Sequence, residues 1–441
     1  MNLLFMHQPV DYPINQRTKD IGVPLGMMLL SGYLRHHNPD VNVTLLDDRL
    51  DQFLNRNVPL EDAMQDHDIV AVGSSTADFS KAYEIMQRAK KLGKTTIMGG
   101  IFPTLMADYV LRLGAVDFIV RGEGEETLSE LLKAEDKTAI AGVSFVREGQ
   151  VVHNPNRLAK DLSQLSMPDY SLVDVQSYID LKHAPIYSAR GCPQKCSFCT
   201  LNEYWNYSHR THGVDRVIEE VTALADLGFK DIRFKDEDFT INRKRALTIL
   251  REIEKLDLDV RFKAKTRIDR IKPEILEAMQ RAGMTTIYFG VESFASETLQ
   301  NVKKGYSSVE DQIKMVVDSG MNLQLGFVLG LAGETKETLE KNVEGISRVG
   351  SQPHVTPRIC FLTPYPGTQL WREPEGLRIL TNDWNRYNSI FPVAVPESLG
   401  EDGLGLLVEA QKRIVEATGR PEINPPVPEE YLKEVGLKQV A

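Results

Sequence analysis

The chain has little cysteine, no long apolar run and no excess of basic residues. Its four cysteines among 441 residues are too few for a disulfide framework, which favours a reducing compartment. No apolar run approaches the roughly 20 residues of a membrane-spanning helix, and the start Met-Asn-Leu-Leu-Phe lacks the basic region of a signal peptide. The formal net charge of -10 argues against a nucleic-acid binder, whose phosphate contacts need a basic face. We therefore expect a cytoplasmic protein with no membrane and no nucleic-acid partner.

Three of the four cysteines lie in one short segment, Gly-Cys-Pro-Gln-Lys-Cys-Ser-Phe-Cys at 191–199. Three thiolates can hold three irons of a 4Fe–4S cluster and leave the fourth iron open, as catalytic metal sites keep an open position. A zinc knot is the alternative, but it needs a fourth Cys or His at short range, and residues 200–208 contain neither. The spacing therefore predicts an iron–sulfur site whose metal ligands are Cys192, Cys196 and Cys199.

The order of apolar runs and amphipathic segments predicts an α/β chain. Over residues 1–135, predicted strands at 2–6, 43–46, 69–73, 95–99 and 118–120 alternate with helices, which is typical of a doubly wound, Rossmann-like parallel sheet. Residues 136–180 are interpreted as a connector with a hairpin at 142–153.

A second series of strands follows from residue 181. Strands at 186–189, 231–234, 260–264, 286–291, 323–329 and 357–362, with helices between them, predict a partial (β/α)6 barrel over 181–372. The cysteine segment then follows the first strand, at the carboxyl ends where such sheets carry their chemistry. Residues 373–441 are expected to form a C-terminal helical extension with a helix at 404–418.

Five further segments follow the cysteines in order, each at or near the end of a predicted strand: 234–240, 265–269, 289–293, 326–334 and 363–368. Together with the cysteine segment they resemble the radical S-adenosylmethionine (radical SAM) enzymes. Segments 22–26, 99–104 and 121–125 resemble the subfamily with an N-terminal cobalamin-binding domain. The resemblance covers about residues 1–372. It implies a 4Fe–4S cluster, S-adenosylmethionine and cobalamin as cofactors, and an external electron donor such as flavodoxin or ferredoxin.

The resemblance implies that the methionine moiety of S-adenosylmethionine chelates the open iron and that nearby polar groups bind it. Asp236, Glu237 and Asp238 are candidate acceptors for its amino group. If the strand continues through them, Asp236 and Asp238 share one face and Glu237 takes the other, and which side faces inward stays open. These acids can instead cap the following helix. Arg267 can pair with a carboxylate of methionine or substrate, or with Asp269.

Other positions of the family motifs have the same two interpretations, cofactor contact or local structure. Phe198 is expected near the adenine or in packing. Glu292 and Ser293 are expected to contact ribose or methionine, or to lie at a solvated strand edge. Gly326 allows close backbone approach to the adenine and Val328 offers an apolar wall, although turn geometry also explains such a glycine.

The N-terminal part lacks one known cobalamin pattern. An Asp-x-His-x-x-Gly motif, which supplies a cobalt-ligating histidine, does not occur in the sequence. The predicted cobalamin contacts are Ser74 and Ser75, as donors to the cofactor tail or as helix caps, and Gly99 and Gly100, where a ligand can approach the backbone. Phe102 is interpreted as a core residue by default, or as a shield for the cofactor.

The resemblance, with both domains paired in one chain, implies a C-methyltransferase that acts on an unactivated carbon of a small molecule. A cyclisation, ring-contraction or oxidation on the same scaffold is the alternative. A tRNA-thiolating enzyme ranks low because residues 1–180 contain no cysteine and the chain is acidic, and a non-catalytic iron–sulfur scaffold leaves the ordered motifs unexplained. No residue is assigned a catalytic role. Cys360 is expected to be a small buried side chain, or else to face the barrel interior.

Overall fold

The computed structural model describes residues 1–9, 22–56, 58–159, 161–181, 184–304, 309–421 and 424–436. The chain forms two compact units: Met1–Ile186 with Glu203–Phe229, and Tyr187–Asn202 with Lys230–Ala441. The domain limits drawn from the sequence stay a prediction. Among the helices within these described ranges, none is both long and apolar enough to cross a lipid bilayer.

The first unit is built on a seven-stranded sheet in the order β2-β1-β3-β4-β5-β6-β7. Strands β1 to β5 pair in parallel, and β6 and β7 add an antiparallel edge. The doubly wound prediction is therefore confirmed, and the hairpin predicted in the connector belongs to this sheet. The strands are β1 (Asn2–Met6), β2 (Asn42–Leu46), β3 (Ile69–Gly73), β4 (Thr95–Gly99), β5 (Phe118–Val120), β6 (Val143–Arg147) and β7 (Gln150–His153).

Helices cover this sheet with their apolar faces. In helix Phe79–Lys91, for example, the apolar side chains of Phe79, Ala82 and Met86 are buried. Basic residues in its last turn, including Lys91, stabilise the negative end of the helix dipole. The helices of the first unit are Leu25–His37, Asp48–Phe53, Leu60–Gln65, Phe79–Lys91, Ile101–Leu105, Ala107–Arg112, Glu125–Lys133, Val175–Asp180 and Val214–Asp226, with 3-10 turns at Lys137–Ala139, Leu162–Gln164 and Tyr170–Leu172.

A six-stranded sheet has the order β15-β14-β13-β12-β11-β8. Its pairs from β11 to β15 are parallel, and a helix follows each of these strands, which confirms the predicted (β/α)6 arrangement. Further strands form two-stranded pairs. The strands are β8 (Ala184–Ile186), β9 (Ala189–Arg190), β10 (Arg210–Thr211), β11 (Asp231–Phe234), β12 (Arg261–Thr266), β13 (Met284–Glu292), β14 (Asn322–Leu329), β15 (Val355–Phe361), β16 (Leu377–Ile379) and β17 (Ala394–Pro396).

The strand predicted at 186–189 is interrupted at Ser188. The Ser188 N–H donates to Asp236 Oδ1 at 2.8 Å and its hydroxyl donates to Oδ2 at 2.5 Å. Because this N–H donates to a side chain, it is not available for pairing with a neighbouring strand. The structure therefore has two short strands where the sequence predicted one.

The C-terminal helix Gly403–Thr418 confirms the helix predicted at 404–418 and packs on helix Lys336–Gly350. Arg413 forms two hydrogen bonds to Glu340 across this contact, at 2.6 and 2.8 Å. The remaining helices are Thr200–Tyr204, Arg243–Leu256, Pro273–Arg281, Ser296–Asn301, Glu310–Asp318, Gln369–Arg372 and Glu429–Glu434, with 3-10 turns at Ile268–Arg270, Trp384–Arg386 and Glu397–Leu399.

Candidate active site

The cysteine loop lies between β9 and helix Thr200–Tyr204 and is anchored at both ends. Gly191 opens it with φ of 91°, a conformation that favours glycine, and its N–H donates to Glu237 Oε2 at 2.9 Å. In the second half, the Ser197 N–H donates to the carbonyl of Val302 at 3.2 Å, and the Ser197 carbonyl accepts from the Leu370 N–H at 3.0 Å. These bonds fix the path of the loop within the second unit.

The loop brings the three predicted metal ligands together as free thiols. Burial, together with the nearby charges of Cys196 and Cys192, raises the pKa of Cys199 to about 11. Burial also raises the pKa of Cys192 and of Cys196. Iron binds the thiolate, so cluster binding displaces these protons. Three adjacent thiols with no disulfide form a donor set that fits an iron–sulfur cluster.

Among the described residues, no three His, Cys, Asp or Glu side chains are arranged to hold a single metal ion. A 4Fe–4S cluster takes one thiolate per iron, so its ligands need not converge on one atom.

An ion pair between Lys304 and Glu292 lies next to the cysteine loop. Lys304 Nζ is 2.6 Å from Glu292 Oε1 and 2.7 Å from the Gly290 carbonyl oxygen. Glu292 has φ of 68°, at an irregularity of the β13–β14 register, and such a conformation costs about 1–3 kcal/mol in a non-glycine residue. A Cβ at position 290 would lie 2.3 Å from Glu292 Oε1, so glycine is needed there for the carboxylate to fold back.

Charges of both signs act on the second cysteine of the loop. Burial has the largest effect and raises the pKa of Cys196. The positive charges of Lys304 and Arg267 lower this pKa, and the negative charge of Glu292 raises it. Arg267 itself forms a bidentate pair with Asp269, at 3.0 and 2.9 Å, as one of its two interpretations anticipated. Lys304 had the same two interpretations as Arg267, a carboxylate of a ligand or an acidic neighbour, and the structure pairs it with Glu292.

Of the three consecutive acids, Glu237 is partly exposed and accepts a hydrogen bond from the cysteine loop through the Gly191 N–H. After burial, the charges of Asp238 and, less strongly, of Glu237 both raise the pKa of Cys192. Asp236 is 1% exposed and binds Ser188, and burial raises its pKa to about 6. The direction that the sequence left open is thus visible: Glu237 faces the loop.

Asp238 ties β11 to β12. Its Oδ1 accepts hydrogen bonds from the Thr240 N–H at 3.0 Å and from the Thr266 hydroxyl at 3.1 Å. Arg270 Nε lies 3.2 Å from Oδ2 without hydrogen-bond geometry. Asp238 thus stabilises a turn, whereas the following helix is capped by Asn242, so the helix-cap interpretation of these acids is wrong. The predicted contacts of Asp236 and Asp238 with methionine stay predictions.

Phe198 and Val328 line the same apolar cluster. Both are partly buried and pack against five buried side chains, namely Val302, Leu331, Leu362, Leu370 and Leu377. Gly326 was expected to allow close approach of the adenine, but its close neighbour in the structure is Tyr288. A Cβ at position 326 would lie 2.2 Å from the Tyr288 hydroxyl oxygen. The glycine therefore makes room for an aromatic side chain of β13, a contact between strands that no local motif indicates.

Ser293 belongs to a buried polar network. Its hydroxyl donates to Asn342 Oδ1 at 3.0 Å, and Asn342 Nδ2 donates to Glu334 Oε1 at 2.6 Å. The other oxygen of Glu334 accepts from the Gly330 N–H at 2.5 Å, and burial raises the pKa of Glu334 to about 7. Ser293 is 1% exposed, so the structure gives it a structural role, and its cofactor contact stays a prediction.

The inner face of the second sheet carries polar side chains that the sequence analysis missed. On β13, the partly exposed Tyr288 and Glu292 alternate with buried apolar residues. Lys265 Nζ lies 5.6 Å from the centre of the Tyr288 ring. On β15, Arg358 and Cys360 share one face, and burial followed by the charge of Glu292 raises the pKa of Cys360 to about 11. Cys360 thus faces the interior, the second of its two interpretations.

At the carboxyl edge of the first sheet, the predicted cobalamin contacts form two adjacent turns. Ser75 donates to Asp78 Oδ1 through its N–H and hydroxyl, at 2.6 and 3.0 Å, before helix Phe79–Lys91. The Ser74 N–H donates to the Gly99 carbonyl at 3.0 Å. Gly100 has φ of 91°, and a Cβ there would lie 2.6 Å from the Ser74 carbonyl oxygen. Contacts of these four residues with a cofactor stay predictions.

Phe102 follows these turns and is 1% exposed. Its ring centre is 4.4 Å from that of Phe79. The core interpretation of Phe102 is therefore confirmed.

Two family profiles match consecutive parts of the chain. The profile described as the B12 binding domain matches residues 13–132, and the profile described as the Radical SAM superfamily matches residues 186–345. The first match contains the turns at Ser74 and Gly100, and the second contains the cysteine loop and the Lys304–Glu292 pair.

Curated relatives span much of the chain. "Uncharacterized methyltransferase PH0819" of Pyrococcus horikoshii is 29% identical over 407 residues, covering 89% of this chain and 87% of the relative. "Anaerobic magnesium-protoporphyrin IX monomethyl ester cyclase" of Rubrivivax gelatinosus is 30% identical, covering 75% of this chain but only 62% of the cyclase. "Bacteriochlorophyllide d C-12(1)-methyltransferase" of Chlorobaculum tepidum is 26% identical, covering 87% of this chain and 80% of the relative.

Among solved structures, the radical S-adenosylmethionine methyltransferase TsrM from Kitasatospora setae has the same fold. That structure superposes with a TM-score of 0.77 at 16% identity, covering 97% of this chain and 91% of TsrM. The chain thus contains a radical SAM domain preceded by a B12-binding domain, and these domains imply a 4Fe–4S cluster, S-adenosylmethionine and cobalamin as its cofactors.

Proposed function

We propose that this protein is a cobalamin-dependent methyltransferase that transfers a methyl group to an unactivated carbon of a small molecule. The observation that carries the proposal is the presence of both a B12-binding domain and a radical SAM domain in one chain. Relatives that span most of the chain are named as methyltransferases, which supports the same assignment.

The cofactors supply two kinds of chemistry when bound: removal of a hydrogen atom from carbon after one-electron cleavage of S-adenosylmethionine, and a methyl group for that carbon. The side chains of Cys192, Cys196 and Cys199 hold the cluster and leave one iron open. An external one-electron donor such as flavodoxin or ferredoxin would reduce the cluster.

Charged and apolar groups around the cysteine loop have the chemistry to bind S-adenosylmethionine. Glu237 and Glu292 present carboxylates that attract an amino group, and both act electrostatically on loop cysteines. Arg267 and Lys304 bring positive charge near Cys196, where a carboxylate of methionine would be stabilised. Phe198 at the edge of the apolar cluster offers a wall for the adenine.

A second candidate is a radical cyclisation or oxidation without methyl transfer. The specific observation in its favour is the cyclase relative, which is 30% identical over 355 residues. Both candidate functions rely on a cluster held by the cysteine loop. They differ in whether the methyl group of S-adenosylmethionine is transferred.

The test is an anaerobic assay of the full chain with reductant, cobalamin and methyl-labelled S-adenosylmethionine. Probe substrates are those named for the relatives and the structural neighbour: bacteriochlorophyllide d, magnesium-protoporphyrin IX monomethyl ester and tryptophan. We expect S-adenosylhomocysteine together with label in cobalamin. 5′-Deoxyadenosine without any S-adenosylhomocysteine or labelled cobalamin would contradict methyl transfer and support the second candidate. Cys196→Ala should abolish 5′-deoxyadenosine formation.

A further inference from the structure

An arginine without a partner lies on the inner face of the six-stranded sheet. Arg358 is in the middle of β15, where it shares one face with Cys360 and is partly exposed. Its Nε is buried and has no hydrogen-bond partner, and within the described residues Arg358 forms no hydrogen bond or ion pair. Because a guanidinium is rarely buried unless it is paired, the missing acceptor calls for an explanation.

Gly326 brings the hydroxyl of Tyr288 to this arginine. Gly326 on β14 pairs in register with Arg358 on β15 and with Gly290 on β13. Tyr288 and Gly290 flank Phe289 on β13, so the alternation of the strand places both on the same face. A Cβ at position 326 would lie 2.2 Å from the Tyr288 hydroxyl oxygen and 3.0 Å from its Cζ. The side chain of Tyr288 therefore lies across β14, and its hydroxyl ends on the strand next to Arg358.

The polar groups around Arg358 keep their protons. Burial and, after it, the charge of Glu292 raise the pKa of Tyr288, so its hydroxyl remains a donor at neutral pH. Burial and, after it, the charge of Glu292 also raise the pKa of Cys360 to about 11, so this thiol is protonated as well. A guanidinium has N–H donors only. The cluster of Arg358, Tyr288 and Cys360 therefore contains no anion of its own.

The carboxylate that acts electrostatically on this cluster is engaged by another group. Glu292 accepts a hydrogen bond from Lys304 Nζ through Oε1, at 2.6 Å. Within the described residues it forms no ion pair with Arg358, and the Tyr288 hydroxyl forms no hydrogen bond. An acceptor for Arg358 must therefore come from a bound molecule or from water.

A carboxylate is the chemical group that fits these donors. The planar fork of a guanidinium matches the two oxygens of a carboxylate, and such charge-assisted hydrogen bonds are short and strong. The Tyr288 hydroxyl can donate a further hydrogen bond to the same oxygens. Lys265 Nζ, 5.6 Å from the centre of the Tyr288 ring, adds a nitrogen donor on this face.

We propose that Arg358 and Tyr288 bind a carboxylate of the substrate, which makes the substrate a small carboxylic acid. The inference rests on the proposed function, because this acid is taken as the molecule that is methylated. In the register of β14 and β15, Val328 lies nearer to the carboxyl edge than Arg358 does, so the subsite is separate from the predicted adenine wall. A carboxylate held at Arg358 leaves the rest of the molecule to extend toward that edge. The alternative is that water alone solvates the guanidinium.

The test is calorimetric binding, without turnover, to the full chain with its cluster reconstituted under anaerobic conditions. Probes are pairs in which a carboxylate is free or blocked: benzoate and benzamide, tryptophan and tryptophanamide, and magnesium-protoporphyrin IX monomethyl and dimethyl esters. We expect at least one acid to bind about tenfold or more tightly than its blocked partner, as hydrogen bonds to a charged group predict. Arg358→Met should abolish this preference, and Tyr288→Phe should reduce it. Absence of any preference in the unsubstituted chain would overturn the inference.

Stability and cofactor binding separate this role from a structural one. Arg358→Met removes an unpaired charge and keeps an unbranched side chain, so the melting temperature should stay the same or rise. A lowered melting temperature, or a loss of S-adenosylmethionine binding equal to the loss of acid binding, would overturn the inference. In the matched control Arg348→Met, which removes an exposed arginine paired with Glu310, the preference should persist.

The inference and the proposed function fail on different readouts. Methyl transfer without any carboxylate preference would overturn the inference and leave the proposed function standing. A preference that depends on Arg358, in a chain that forms 5′-deoxyadenosine but no S-adenosylhomocysteine, would support the subsite and contradict methyl transfer.

Discussion

Replacing Lys304 by methionine removes the cation that pairs with Glu292 beside the cysteine loop. Two unit charges about 3 Å apart attract by roughly 5 kcal/mol at an effective dielectric constant of about 20, and desolvation offsets part of this. Breaking a buried ion pair from one side typically costs about 3–5 kcal/mol. The side chains of Lys304 and Glu292 are 10% and 13% exposed, so we expect the lower end, about 3 kcal/mol.

A double-mutant cycle measures this coupling. The free energy of unfolding is determined by urea denaturation under reducing, anaerobic conditions for the unsubstituted chain, Lys304→Met, Glu292→Gln and the double variant. We expect the double variant to be more stable than the sum of the two single losses by about 2 kcal/mol or more, because it leaves no unpaired charge behind. Additive losses would refute the view that the pair acts as a unit. We also expect Lys304→Met to lose S-adenosylmethionine binding, which calorimetry measures.

Three further outcomes are expected. Cys196→Ala should lose the iron and sulfide content of the anaerobically reconstituted protein, whereas Cys360→Ser, outside the loop, should retain both; equal metal content in the two would contradict the ligand assignment. Because burial raises the pKa of Glu334 from 4.5 to about 7, the contribution of this protonated carboxyl to folding stability should be complete below pH 4.5 and be lost, by up to about 3 kcal/mol, as pH rises through 7. Urea midpoints across this range should fall less in Glu334→Gln, and identical slopes would refute the linkage. Gly100→Ala should lower the melting temperature more than Gly114→Ala, since both glycines have positive φ but only at Gly100 would a Cβ meet backbone, at 2.6 Å; equal losses would show that strain alone matters.

Local patterns predicted most of the strands, apart from the interruption at Ser188, and the cysteine motif. The alternation of apolar residues predicted the parallel strands, and the spacing of the three cysteines is visible without any tertiary contact. Alternation also separated Glu237 from Asp236 and Asp238, but only the bond from the Gly191 N–H reveals that Glu237 faces the loop. That bond joins residues 46 positions apart, which no local pattern encodes.

The features that the sequence did not predict depend on contacts between distant strands. Gly326 is explained by the Tyr288 side chain on the neighbouring strand. Cys360 faces the interior because of the register and pleat of β15.

The most direct test of the central claim is whether the cluster has an open iron that S-adenosylmethionine occupies. The measurement is electron nuclear double resonance of the reduced cluster, with S-adenosylmethionine carrying ¹⁷O in its carboxylate or ¹⁵N in its amino group. The account predicts hyperfine coupling of both labels to a 4Fe–4S cluster, together with about four irons and four sulfides per chain. Tightly bound zinc without sulfide, or a cluster whose spectrum is unchanged by S-adenosylmethionine, would contradict it.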